Sequence, residues 1–548
     1  MLWKLSENKK LITILLVIKM PYFRMSSFNN STDERYFYSL IEVSSLEFHT
    51  EPSMPVSIFT ESETKFGIFK VKPFRCDPST IPIVVQCTID ISSSMEELAG
   101  SYQKIDFIKQ TLEKLLPYLL DNFNIEIWIQ IGLFNTTYMT LIPMQQLKRE
   151  NMDDLNEKIR SIRCSGCTNL ENAFIESRKI MEQSIERRPD YKSLHIFLTD
   201  GNPTDGIHDS ILLSKLISTQ YPTLFIGYGI DHNASLLKNC ANHLSHSYQF
   251  VDNYELTGQV YAEMLYSLMY TVMENPVIEI EAGCIYDSLN DQWTNRLEIP
   301  WWVAEKEYIY HISALNPEDV VVSVSKDSAI LFSTPELPLL MNAEDGTLEV
   351  RNFDKYIFKQ KTMDLLSLVL RIQTTTDEID ITEQLKVAQK ELADFFKLLR
   401  TYMREKGLLE DAFLKILCED LSISYQTIQT QINTRNYDTN YATMNILSRR
   451  TAQATQALYR SGSARQPVTA RVTQLPPAGR GLQRTPTNAY YDEEFDAETQ
   501  VDEWTETDRE YIMVDVDADA IETYREEFVT QNIYSPTGMD TMARNISS

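Results

Sequence analysis

The chain has 548 residues, 43% of them hydrophobic and 24% charged, which allows roughly three or four domains with a substantial core. Its formal net charge is −27, from 51 Lys+Arg against 78 Asp+Glu. That charge repels phosphate backbones and excludes nucleic acid as a general partner. Seven cysteines stand at 76, 87, 164, 167, 240, 284 and 418, and only Cys164 and Cys167 have C-x-x-C spacing. No second pair or histidine cluster completes a zinc site, so reduced thiols in an intracellular, cytoplasmic chain are the simpler reading.

Residues 1–34 read as a leader. Lys9 and Lys10 precede a short apolar run, Leu11 to Ile18, which resembles the core of a signal peptide. Lys19 ends that run, and it is too short to span a bilayer. A true start at Met20 or Met25 would remove it altogether. No other stretch reads as a membrane span.

Residues 35–79 are strand-like. Tyr36 to Val43 and Phe66 to Lys72 are rich in aromatic and β-branched residues, with Pro52 and Pro55 between them. Residues 80–275 then alternate strand and helix, which predicts an α/β fold with a doubly wound, mostly parallel sheet. The first strand is 83–90, and a helix with Ile105, Ile108, Leu112, Leu115, Leu116 and Leu119 on one face follows. The alternation over 125–131 and the turn at Asn135-Thr136-Thr137 predict a hairpin that supplies an antiparallel edge. Further strands are expected at 193–199, 223–228 and 247–251, with helices between them and a last helix at about 255–274.

Residues 276–350 return to strands, with Trp293, Trp301, Trp302, Tyr308 and Tyr310 as candidate fillers of a small β core. Neither flanking segment has enough strands for a core alone. They are therefore expected to pair into one β-sandwich, with 80–275 inserted. Residues 351–435 read as helical. Leu385, Ala388, Leu392, Phe395, Phe396 and Leu399 form a stripe that suits bundle packing, and Gly407 is a plausible stop. From 436 to 548 the pattern fades into an expected disordered tail. Residues 449–484 carry seven arginines and no acid, and an acidic-aromatic block begins at Asp492. Such blocks read as an interaction tail.

Three stretches carry chemistry. The apolar run Val84 to Ile89 ends in Asp90, followed by Ser92 and Ser94. A loop at 164–169 holds Thr168 at the start of a helix. A second apolar strand, His195 to Thr199, ends in Asp200. Ligands of open parallel sheets bind just outside the carboxyl ends of the strands. An all-oxygen set at such an end suits a hard cation such as Mg²⁺. Glu96 and Glu97 nearby read as a solvated helix start.

D-x-S-x-S, then T, then D, each in that context, resembles the metal-ion-dependent adhesion site of von Willebrand factor A domains, Rossmann-like modules of this length. The resemblance covers 80–275; outside it, a sandwich split by such a domain and followed by helices is similar to intracellular A-domain proteins of eukaryotes and large DNA viruses. It implies that Ser92 and Ser94 bind Mg²⁺ or Mn²⁺ directly. Thr168 would do so in one state, and Asp90 and Asp200 would act largely through water. A partner protein's Asp or Glu would take the open position.

No phosphate loop, nucleophile elbow or H-E-x-x-H motif is present, so no enzymatic activity is expected. His243 and His246 read as a satisfied or exposed pair and His195 as a core or interface residue. The expected function is a metal-dependent protein-binding scaffold. The alternatives are an assembly protein whose metal only stabilises the fold, or an adaptor of a separate ATPase or ubiquitin ligase.

Overall fold

The computed structural model describes residues 39–49, 64–99, 102–200, 202–228, 232–251, 257–334, 339–341, 348–373, 378–433, 439–455 and 537–547. The expected leader (1–34) and most of the expected tail lie outside them.

Strands β1 (Ile41–His49) and β2 (Lys65–Pro73) pair antiparallel ahead of the α/β region. That region runs β3 (Ile83–Asp90), α1 (Lys104–Asn122), β4 (Ile127–Phe134), β5 (Tyr138–Gln146), α2 (Met152–Arg160), α3 (Leu170–Arg187), β6 (Lys192–Thr199), α4 (Ser210–Ser214), β7 (Thr223–Tyr228), α5 (Ala234–Cys240), β8 (Ser247–Val251) and α6 (Thr257–Met269). Its six-stranded sheet has the order β8-β7-β6-β3-β4-β5. All pairs are parallel except β4 with β5, the expected antiparallel edge.

Every residue of β3 is buried, because helices cover both faces of a central parallel strand. Val85, Cys87 and Ile89 point into the core beneath α1 and α6, while Val84 faces the other side. The chain order reverses at β3: β4 lies on one side and the later β6 on the other. Asp90 and Asp200 therefore stand at the switch point of the sheet, where its geometry opens a crevice.

After the α/β region come β9 (Val277–Glu281), β10 (Cys284–Asp287), β11 (Gln292–Thr294), β12 (Arg296–Glu298), β13 (Tyr308–Ala314), β14 (Val321–Lys326), β15 (Ala329–Ser333) and β16 (Leu339–Met341). Strands from both sides of the α/β region share one sheet, in the order β11-β10-β13-β2-β1-β16. A second sheet has the order β12-β9-β14-β15. Phe48, Phe69 and Val71 of the first meet Ile278, Ile280, Val322 and Val324 of the second in one apolar cluster. Trp302 is buried there and donates to the Tyr310 hydroxyl at 2.8 Å. Trp293 does not join this core; it is 39% exposed and lies against Tyr286. It sits on β11, the edge strand of its sheet.

The helical region is α7 (Leu348–Gln373), α8 (Glu378–Glu405), α9 (Ala412–Asn433) and α10 (Thr439–Thr455). Leu385, Ala388, Leu392, Phe395 and Leu399 of α8 are buried in its core, and Phe396 is half-buried. Gly407 adopts φ 66° just after α8, the left-handed conformation in which glycine is least strained. Phe66 and Ile68 of β2 pack into the same cluster, so the first sheet carries the helices on its outer face.

Two helices stand where a disordered tail is expected from 436. One is α10, and the other is α11 (Thr537–Ser547). Helix α10 lacks a simple apolar stripe because its contacts are divided. Met444 and Leu447 pack with Leu236, Leu237 and Tyr248 of the α/β region, whereas Ile446 joins the helical core. Arg449 and Arg450 are not linker charges but buried side chains. Arg449 donates to Asp420 at 3.1 Å, and Arg450 donates to the Ser367 hydroxyl.

Candidate metal centre

The register of the sheet builds the site. Ile89 pairs with Leu198, so Asp90 falls opposite Thr199 and next to Asp200. Thr199 Oγ1 donates to Asp90 Oδ2 at 2.6 Å, and the Ser92 backbone N–H donates to Asp90 Oδ1 at 2.8 Å. Both Asp90 and Asp200 are fully buried. Ser92 and Ser94 sit at the mouth of β3, with their Oγ atoms 3.1 Å apart. Ser94 Oγ donates to Asp200 Oδ1 at 2.8 Å.

The structure thus joins Asp90, Ser92, Ser94 and Asp200 in one hydrogen-bonded chain. Thr168 is also buried, in a loop stitched to the serine loop by backbone bonds. Ser93 N donates to Gly166 O at 3.2 Å, and Ser165 N donates to Ile91 O at 2.7 Å. Thr168 N donates to Thr204 Oγ1 at 2.8 Å, and Thr168 O accepts from Thr204 N at 2.9 Å. Among the described residues, no hydrogen bond joins the Thr168 hydroxyl to the other four. Asn169 caps α3, its side chain accepting from Asn172 N at 2.9 Å.

Lys104 is the participant that sequence reasoning missed. It is buried at the start of α1 and donates to Asp200 Oδ2 at 2.7 Å and to Glu97 Oε2 at 2.8 Å. Burial pushes its ammonium pKa down, but Asp200 and Glu97 outweigh this, so the group is held firmly charged. Glu96 and Glu97 are both exposed, and Glu97, with its side chain 57% exposed, also pairs with Lys104. Residues Ser93–Glu96 form a short 3₁₀ turn, and a two-stranded turn pairing Leu98–Ala99 with Tyr102–Gln103 folds Lys104 back onto the acids. A lysine that begins a helix reads as solvent-facing; only this fold-back could have signalled otherwise.

Asp90 has no such cation. Burial first, and the neighbouring Asp200 second, raise its carboxyl pKa to about 7 against the opposing bonds from Thr199 and Ser92. Two buried carboxylates thus face a single buried ammonium. That surplus of negative charge, beside the hydroxyls of Ser92 and Ser94, fits an oxygen-seeking divalent cation.

The other candidates are structural. Burial raises the Cys164 thiol pKa to about 12, which does not suit a redox centre. His195 is buried, with Nε2 3.0 Å from Thr88 Oγ1, and burial lowers its pKa to about 3. His246 Nδ1 accepts from Thr223 N at 3.2 Å.

Residues 85–263 match the family described as von Willebrand factor type A domain. Inter-alpha-trypsin inhibitor heavy chain H1 of Sus scrofa is 30% identical over 151 residues, 26% of this chain and 16% of that protein. The Bos taurus counterpart is 27% identical over 158 residues, 27% of this chain and 16% of its own length. The matched stretch is therefore a small part of these relatives. Among solved structures, a von Willebrand factor type A protein from Catenulispora acidiphila aligns with TM-score 0.43 and 13% identity, over 65% of this chain and 85% of that one. The ArnB paralog VWA2 from Sulfolobus acidocaldarius aligns with TM-score 0.39 and 16% identity, over 71% and 93%.

Proposed function

Residues 85–263 are a von Willebrand factor type A domain, and we propose that its switch-point crevice is a metal-dependent docking site for an acidic side chain of a partner protein. The observation that carries this reading is the charge count in the crevice. Asp90 and Asp200 are buried with only Lys104 beside them. A divalent cation such as Mg²⁺ or Mn²⁺ would supply an electrophilic position for an incoming carboxylate. Ser92 and Ser94 offer neutral oxygens to it, Thr168 stands in the adjoining loop, and Asp90 and Asp200 balance charge. Among the buried groups alone, the two aspartates, the lysine and a divalent ion would sum to one positive charge, which the exposed Glu97 on the same ammonium partly offsets. An incoming partner carboxylate would meet that remaining positive charge at the ion.

Seven free cysteines suit a reducing compartment, and we read the chain as intracellular on that ground. Among the described residues, no helix is long and apolar enough to cross a membrane.

Calorimetric titration of Mg²⁺ into the chelator-stripped full chain tests the site. One saturable event is expected, lost in Asp90→Ala with Ser92→Ala. Partner capture should vanish in EDTA and return with Mg²⁺. Unchanged Mg²⁺ binding in the double variant would remove the basis of the proposal.

One observation favours a second reading, an assembly role in which the ion only stabilises the fold. Lys104 already satisfies half of Asp200 without any ion. In that case Mg²⁺ raises the melting temperature but leaves partner capture the same in EDTA.

A further inference from the structure

Helix α6 poses a covering problem. Val260, Tyr261, Ala262, Met264, Leu265, Tyr266 and Met269 are all buried, so apolar side chains cover most of its circumference and leave only a strip with Gln259, Glu263 and Ser267. A helix on the face of a sheet normally shows one polar side to water. The sheet covers one side of α6, and the other needs a partner.

That partner is α11, which packs against α6 and α1. Met539, Met542, Ala543 and Ile546 follow the i, i+3, i+4, i+7 spacing of one helical face, and all four are buried in the A-domain core. Thr541, Arg544 and Asn545 lie on the exposed face. Residues 456–536 separate this helix from α10. It is 11 residues long, and helices shorter than about 12–15 residues are marginal alone in water. Its order therefore comes from the surface that receives it, which is how an amphipathic peptide docks in a helical groove.

We propose that the α1–α6 face is a peptide-docking site for this C-terminal helix, and that the helix of a second copy of the chain can take it. A helix from another copy would make the same contacts as the chain's own. The two arrangements differ only in the effective concentration of the helix. Exchange of an identical terminal element is a low-cost route to dimers. Methionines at two of the four anchor positions suit such exchange, because their unbranched side chains adapt to a surface on re-entry. The inference is independent of the metal site, which lies at the strand ends.

The test keeps the full chain, with a protease site introduced within 456–536 and cut after folding. A fluorescent peptide of residues 537–548 is then added. The cut chain should take up the peptide at least about 10-fold more readily than the intact chain, whose own helix is tethered. A Met542→Asp peptide should not bind. Two differently tagged intact chains should co-capture on prolonged mixing at high concentration, and not when both carry Met542→Asp. Peptide uptake without any cross-capture overturns the second-copy claim. Absence of uptake, or release of the cut helix only when the domain unfolds, makes α11 a fixed part of the core and overturns the proposal.

Discussion

Among the described residues, two clusters bury carboxylates completely, and they differ in how the charge is met. At α9–α10, Asp420 receives Arg449 at 3.1 Å on one oxygen and Gln453 Nε2 at 2.7 Å on the other. Both members of that ion pair are fully buried, and the charges cancel. At the switch point of the A domain, Asp90 and Asp200 have Lys104 alone. The first cluster is closed and needs no ligand. The second is one positive charge short and lies where a parallel sheet opens to ligands. Buried charge by itself therefore says little about function; the unmet remainder does.

Breaking the closed cluster should have the largest effect. Arg449→Met leaves Asp420 buried without its cation and should cost about 3–5 kcal/mol in chemical unfolding. Replacing both, as Arg449→Met with Asp420→Leu, should return most of that loss. Neither variant should change the response to Mg²⁺. A metal-dependent change at this pair would erase the contrast between the two clusters.

Lys104→Met makes the open cluster more open. Metal-free protein should lose stability on a similar scale, about 3–5 kcal/mol, because Asp200 then lacks any cation. Added Mg²⁺ should recover part of it. The rise in melting temperature with Mg²⁺ should thus be larger in Lys104→Met than in the unaltered chain. An equal rise in both would mean that Lys104 and the ion do not share Asp200.

Asp90→Asn works in the opposite sense. The folded-state pKa of Asp90, about 7, lies above the unfolded value near 4. Between those values the folded form binds more protons than the unfolded form, so this group's contribution falls as pH rises through the window. In chelator, Asp90→Asn should match the unaltered chain near pH 4. It should become more stable by up to about 4 kcal/mol above pH 7. His195 titrates the other way, its pKa of about 3 favouring the fold as pH rises toward 6.5. Because His195 is present in both proteins, the difference between their pH–stability curves isolates Asp90. With Mg²⁺ present the order should reverse, since the amide gives up the charge that balances the ion.

The contrast also marks what the sequence could reveal. Apolar runs such as Val84 to Ile89 announce buried parallel strands, and an acid at the end of two such runs locates the crevice. Asp90, Ser92, Ser94 and Asp200 were legible because their spacing and strand ends are local features: two of the three bonds that join them link residues two positions apart, and the third, Ser94 to Asp200, follows from the register. Lys104 was not, because the turn that folds it back onto Asp200 is set by tertiary contacts. Arg449 and Arg450 were misread for the same reason. An arginine that pairs with a buried aspartate 29 positions away looks, in hydropathy, like any arginine of a linker. Helix α11 was hidden differently: its four-residue stripe is too short to stand out within a polar tail, and α6 completes it.

Ser94→Ala gives the smallest and sharpest change. Ser94 donates to Asp200 Oδ1 and lies within hydrogen-bond reach of Ser92 Oγ, so its hydroxyl bridges the two halves of the crevice. Without metal, the loss of one bond to a charged acceptor should cost about 1.5–3 kcal/mol. Lys104 still holds the other oxygen of Asp200, which limits the loss to the low end. With metal, the same hydroxyl is a proposed ligand, and its removal should weaken Mg²⁺ binding at least about 10-fold by calorimetry. Ser177→Ala is the matching control, since Ser177 Oγ donates only to the Phe174 carbonyl, inside α3 and away from both carboxylates. Equal Mg²⁺ affinities in the two variants would place the cation, if it binds, away from the serine loop. The surplus charge at Asp90 would then have to be met by its own protonation.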